Sequence, residues 1–158
     1  ERIVSLSVIQ LNYICMEEIE IFTDGACRGN PGLGGWGALI RKDGKETSLW
    51  GGETDTTNNR MEMEAAIRGL ESIVESSNIT ITTDSNYLKD GITQWLDGWK
   101  KKDWKTASKK PVKNKDLWIK LDELSNFHNV KWKWVKGHSG HRENDIADLL
   151  ANKGIDEL

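Results

Sequence analysis

Residues 18–24 (EIEIFTD) alternate apolar and polar side chains, the two-residue period of a half-buried strand. A glycine-rich stretch follows, GACRGNPGLGGWG, which reads as a link, and then ALIRKDGKETSLW. Asp43-Gly44 separates two apolar runs, the composition of a two-residue hairpin turn. Three consecutive antiparallel strands are therefore predicted between 18 and about 53. From 58 to 75 the period changes: Met63, Ala66, Ile67, Leu70 and Val74 recur at helical spacing. ITITTD (79–84) predicts a short β-branched strand, and helices follow over Ser85–Asp90 and Thr93–Lys102. Leu117, Leu121 and Leu124 mark a further helix before Asn126. Val130, Trp132 and Trp134 alternate with lysine, predicting a strand over 130–136. Glu143–Lys153 reads as the last helix, with Ile146, Leu149 and Leu150 apolar and Gly154 as its stop. The order is βββαβ, then helices, then βα, and it predicts an α/β fold in which helices pack on a mixed sheet.

The chain has 158 residues, 30% of them charged and 37% hydrophobic. That is one domain with a real core, and it excludes a disordered, collagen-like or membrane-spanning chain. Two cysteines, Cys15 and Cys27, form no CxxC pair, and His128, His138 and His141 lack zinc-site spacing. Reduced thiols in a cytoplasmic protein are the expectation. Residues 1–15 are apolar and almost uncharged, with Met16 following. They read as an N-terminal extension, with Ile9, Leu11 and Tyr13 alternating as an extra strand would. Residues 16–158 read as a single catalytic domain.

Carboxylates stand at telling places: Asp24 at the end of the first strand, Glu62 at the start of the first long helix, Asp84 after ITITT and Asp148 in the last helix. Each also has a structural reading. Asp24-Gly25 makes a turn, Glu62 is three residues after Asn59 as in a capping box, Asp84 caps a helix, and Asp148 faces water.

Together with their surroundings these acids carry a resemblance. FTDGACRGNPGLGGWG (22–37), TTNNRMEMEAA (56–66), TTDSNYLKDGITQWL (82–96), GWKKKDWKTASKKPVKNKDLW (98–118) and KWKWVKGHSGHRENDIADLLA (131–151) resemble bacterial-type ribonuclease H of type 1 in order and spacing. The resemblance implies a five-stranded mixed sheet, three antiparallel strands then two parallel, with helices on both faces. It implies an endonuclease that hydrolyses the RNA strand of RNA/DNA hybrids, as in removing RNA primers and R-loops, and leaves 3′-hydroxyl and 5′-phosphate ends. It carries metal-ligand and catalytic roles onto Asp24, Glu62, Asp84 and Asp148, and a proton-transfer or product-release role onto His138 in KGHSGH. Hard ions take oxygen ligands, so two Mg²⁺ ions are expected with substrate bound, with Mn²⁺ as a substitute.

The same resemblance places Gly25, Cys27, Arg28 and Asn30 on the RNA strand, mostly through main chain. Asn58, Asn59 and Asn86 face base edges in the minor groove, where readout is degenerate. Thr57 and Asn114 belong to a phosphate pocket for the DNA strand, in which Asp55 stands where relatives often have arginine. Tyr87, Trp95 and Trp99 line the DNA sugars.

Net charge changes the picture only when it is divided. The whole chain carries −3, yet Trp99–Lys115 holds eight lysines and one aspartate, +7 in all, leaving −10 elsewhere. This stretch, with Lys100, Lys101 and Lys102, matches the family's basic protrusion (about 95–115), a handle for phosphates. Eight of the twelve aromatic residues are Trp. Trp104, Trp118, Trp132 and Trp134 are expected to pack. The resemblance thus implies a hybrid duplex as the partner, with no membrane and no obligatory protein partner, and a monomer suffices. Two other readings remain open at this level: a catalytically silent hybrid-binding module, and a DNA-acting nuclease or integrase-like core on the same fold.

Overall fold

The computed structural model describes residues 18–137 and 140–158. The extension at 1–15, Met16 and His138 lie outside the described residues. Strands β1 (Ile19–Arg28), β2 (Gly32–Lys42) and β3 (Lys45–Thr56) lead into helix α1 (Asn58–Glu71) and strand β4 (Asn78–Thr83). Helix α2 (Asn86–Asp90) runs through a π-helical turn (Gly91–Trp95) into α3 (Leu96–Lys101). Helix α4 (Lys115–Phe127), strand β5 (Asn129–Trp134) and helix α5 (Arg142–Asp156) complete the chain. The strands form one sheet in the order β3-β2-β1-β4-β5. The first three are antiparallel, and β1-β4 and β4-β5 are parallel.

Helices cover both faces, as the alternation along β2 demands. Gly69 of α1 packs on Ile21 and Ala38, while the adjacent Gly37 meets Ala147 and Leu150 of α5. The α1 side holds the main core, with Ile21, Ile79, Ile81, Met63, Ile67, Leu70, Trp118 and Leu121 all buried. The predicted hairpin is present: Asp43 and Gly44 both take positive φ, 52° and 73°, and Lys42 pairs with Lys45.

Several expectations need correction. The glycine-rich stretch is strand, not link, except at Gly29–Pro31 between β1 and β2. Its glycines serve close backbone approach: a Cβ at Gly35 would fall 2.0 Å from the Ala151 carbonyl oxygen, so α5 lies directly on β2. Gly154 is not a stop, because α5 continues to Asp156. A Cβ at Gly154 would come within 2.1 Å of the Gly51 carbonyl oxygen of β3. Leu149 is 69% exposed, and the buried side of α5 is Ala147, Leu150, Ala151 and Ile155. Helix α1 ends at Glu71, before Val74, which is 85% exposed. No helix among the described residues is long and apolar enough to cross a membrane.

Candidate active site

Parallel neighbours β1 and β4 bring Asp24 and Asp84 side by side. Asp24 lies within β1, which runs on to Arg28, so it does not end the strand; Asp84 directly follows β4. Helix α1 adds Glu62 from one face of the sheet, and α5 adds Asp148 from the other. Gly25 makes the approach of α1 possible, since a Cβ there would sit 2.5 Å from the Glu62 backbone nitrogen. The capping reading of Glu62 fails. Thr57 is the N-cap of α1, its hydroxyl accepting from the Arg60 N–H at 3.3 Å, and Asn59 is already helical. Asp84 caps nothing either, because Ser85 caps α2.

One carboxylate oxygen from each of Asp24, Glu62 and Asp84 lies within 4.8 Å of the others. Asp148 joins Asp24 and Asp84 around a cavity of about 20 Å³, which Asn144 and Asp145 also line. That is room for about one water or ion. Glu62 is 5% exposed, and its buried Oε2 has no hydrogen-bond partner among the described residues. Burial, reinforced by the neighbouring Asp84, raises the Asp24 carboxyl to about 7. Burial, with Asp24 and Asp84 nearby, pushes Glu62 well above the ordinary carboxylate range. Crowded acids that hold protons, an unpartnered buried oxygen and an all-oxygen donor set together fit a hard divalent cation.

The residues assigned to the hybrid lie around this cluster in two groups. Beside Asp24, the Cys27 thiol points at the carbonyls of Gly29 and Thr56, and Arg28 pairs with Asp156 at 2.8 Å. The Asn30 side chain accepts from the Asn58 N–H at 3.2 Å, which ties the β1-β2 turn to the start of α1. Asn58 and Asn59 occupy the first turn of α1, and Asn86 the first of α2.

In the second group the Tyr87 hydroxyl accepts from the Asn114 amide at 2.9 Å and from the Trp118 indole at 3.2 Å. Tyr87, Trp95, Trp99 and Trp118 form a ring cluster with neighbouring centroids 5.4–5.9 Å apart. Lys100 reaches Asp122 at 3.3 Å, while Lys101 and Lys102 are exposed at the end of α3.

Asp55 is exposed, and an arginine enters the Thr57–Asn114 region from elsewhere. Arg60 donates to Asn114 at 3.2 Å and makes a two-pronged pair with Asp116 at 3.1 and 2.8 Å. Sequence reading missed Arg60 and also Asn144, whose buried Oδ1 is unpartnered among the described residues. The spacing of Asn144 to Asp148, one helical turn, was the available signal.

Fold and site together match the carboxylate class of nucleases, with a candidate site for a divalent metal. The chain belongs to the ribonuclease H family, whose model (RNase H) matches residues 16–156. It is 63% identical over 143 residues to the ribonuclease H of Hydrogenovibrio crunogenus, covering 90% of this chain and 99% of that one. A solved type 1 RNase H with the type 2 active-site motif superimposes with a TM-score of 0.79 at 32% identity, covering 89% of this chain and 72% of that one. LC11-RNase H1, solved in complex with an RNA/DNA hybrid, matches with a TM-score of 0.67 at 26% identity over 88% and 97% of the two chains.

Proposed function

We propose that this chain hydrolyses the RNA strand of RNA/DNA hybrids as an endonuclease, with Asp24, Glu62, Asp84 and Asp148 as its catalytic acids and metal ligands. The observation that carries the reading is the convergence on Asp24 and Asp84, from β1 and the end of β4, of Glu62 from α1, within 4.8 Å, and of Asp148 from α5, across an ion-sized cavity. The hybrid bound to the LC11 relative supports the substrate. Mg²⁺ is the proposed ion, with Mn²⁺ as its substitute. With substrate bound as well, two such ions held by these acids would stabilise charge on the attacking and leaving oxygens and favour 3′-hydroxyl and 5′-phosphate products.

The chain's own groups do the rest. Asp24 and Glu62 hold protons while the site is empty of positive charge, and release them as it is neutralised. His138, just before α5, is proposed to carry a proton for the leaving group or to aid product release. The main chain at Gly25, Cys27, Arg28 and Asn30 meets the 2′-hydroxyls that distinguish RNA from DNA. Asn58, Asn59 and Asn86 contact base edges. Thr57 and Asn114, with Tyr87, Trp95 and Trp99, hold the DNA strand. Residues 16–158 are proposed to act as one domain, as a cytoplasmic monomer.

Side-by-side incubation of hybrid, duplex RNA and duplex DNA tests this. The expected result is cleavage of the hybrid alone, abolished by Asp84→Asn. Equal cleavage of duplex DNA would indicate the DNA-acting core, and binding without cleavage the silent module. Replacing Lys100, Lys101 and Lys102 by Gln is expected to raise KM more than it lowers kcat. It should also flatten the salt dependence, by at most about 0.9 in log–log slope per lost phosphate contact. Lys100 contributes least, being paired with Asp122. An unchanged KM would remove the protrusion from the binding surface.

A further inference from the structure

Across Asp84 from the acid cavity lies a second, larger one of about 280 Å³. Asp84, Asn86, Lys89, Trp134, Lys136 and Gly137 line it, where the ends of β4 and β5 meet the start of α2. Its charge is opposite in sense to that of the acid cavity: two lysines face one carboxylate. Neither lysine has a salt-bridge partner among the described residues, whereas Lys100, Lys105 and Lys120 are all paired. Trp134 forms a stiff wall, stacked on Trp132 at 5.5 Å and 7°. Gly137 keeps the cavity open and Asp84 in place, since a Cβ there would lie 2.8 Å from the Asp84 Oδ2.

We propose that this cavity holds the RNA-strand phosphate adjacent to the scissile one, with Lys89 and Lys136 as its cationic donors. The inference rests on the proposed hybrid-cleaving function. Size and sign select the ligand: the acid cavity admits an ion, while the lysine cavity admits a whole phosphate group and attracts it. Position selects the strand. Asp84 borders both cavities, so a phosphate beside the lysines is the chain neighbour of the one presented to the acids. Two point charges without base-edge readout fit a contact that positions the strand and carries no sequence preference.

The test uses a hybrid with a short ribonucleotide block that confines cleavage to one bond, with one neutral methylphosphonate placed in turn at each flanking RNA-strand phosphate. Wild type, Lys89→Gln, Lys136→Gln and the double variant are compared. At one flanking position the neutral group is expected to raise the wild-type KM roughly tenfold, the size of one charge-assisted contact. In the double variant the same replacement should change KM by less than about twofold, because the partner is already gone. Equal losses in wild type and double variant, or no sensitive flanking position in wild type, would overturn the inference. Neither outcome touches the functional reading, which fails only if the unmodified hybrid is not cut by wild type. Melting temperatures of the variants, expected to match wild type because both lysines are exposed, separate lost contact from lost fold.

Discussion

Replacing Asp24 with Asn is expected to abolish hybrid cleavage and, in the metal-free protein at pH 8, to raise the melting temperature. The two effects have one cause. Asp24 stands with Asp84 and buried Glu62 in a cluster whose oxygens lie within 4.8 Å of one another. Its carboxyl is raised to about 7, so the folded protein holds this proton through a pH range in which the unfolded chain, with a carboxyl near 3.8, has lost it. Folding is thus favoured by this group fully below about pH 4, and the benefit disappears as pH rises through 7. At pH 8 Asp24 has lost its proton and sits as a buried charge beside two other acids, a strain that asparagine removes at nearly constant volume. The expected gain is about 1–2 kcal/mol, at roughly 2–4 °C per kcal/mol.

The same substitution removes a proposed ligand of the ions that stabilise developing charge, costing on the order of 10³-fold or more in kcat. Melting scans with and without Mg²⁺ separate the terms: added Mg²⁺ should stabilise wild type clearly and the variant much less. The wild-type melting temperature without metal should fall between pH 5 and pH 8, and the variant's should fall less. An inactive variant with a lower melting temperature at pH 8 would contradict the repulsion argument, whatever its activity.

Much of this candidate site is legible in the sequence because its signals are local. Asp43-Gly44 specifies its own turn, the alternation in EIEIF and the run ITITT specify two strands, and the four acids stand at fixed places in recognisable segments. What was not legible depends on distant backbone. GLGGWG is loop-like by composition, yet it is a central strand because α5 must lie against it, and no window of sequence contains both partners. Gly154 likewise mimics a helix stop while serving a contact with β3. Leu149 is one of the apolar positions that mark the last helix, yet it faces outward, because the tight approach at Gly35 and Gly37 turns the small residues Ala147 and Ala151 inward instead. Arg60 was hidden inside the motif that named Asn58 and Asn59. Its partner Asp116 is on another helix, so only the fold shows that Arg60, and not the residue at 55, reaches Asn114.

Trp118→Ala is expected to be the most destabilising single change in the aromatic cluster and to weaken hybrid binding without touching the acids. Trp118 is fully buried on α4, and its indole donates to the Tyr87 hydroxyl at 3.2 Å. Its ring is wedged so closely under the π turn that a Cβ at Gly91 would come within 2.0 Å of it. Removing it deletes contacts to α2, the π turn and α3 together, and the rigid backbone above cannot collapse into the space. The cost is about 3–5 kcal/mol, roughly 6–20 °C in melting temperature. Tyr87 and Trp99 lose their backing, at centroid distances of 5.4 and 5.5 Å, so the proposed sugar-lining surface loosens and KM rises more than kcat falls. Trp118→Phe keeps most of the volume, and the Tyr87 hydroxyl keeps the Asn114 amide at 2.9 Å, so it should lose well under half as much. Urea unfolding of both variants beside wild type provides the measurement. A loss below about 1 kcal/mol for Trp118→Ala would mean that the four rings are neighbours but not a packed unit.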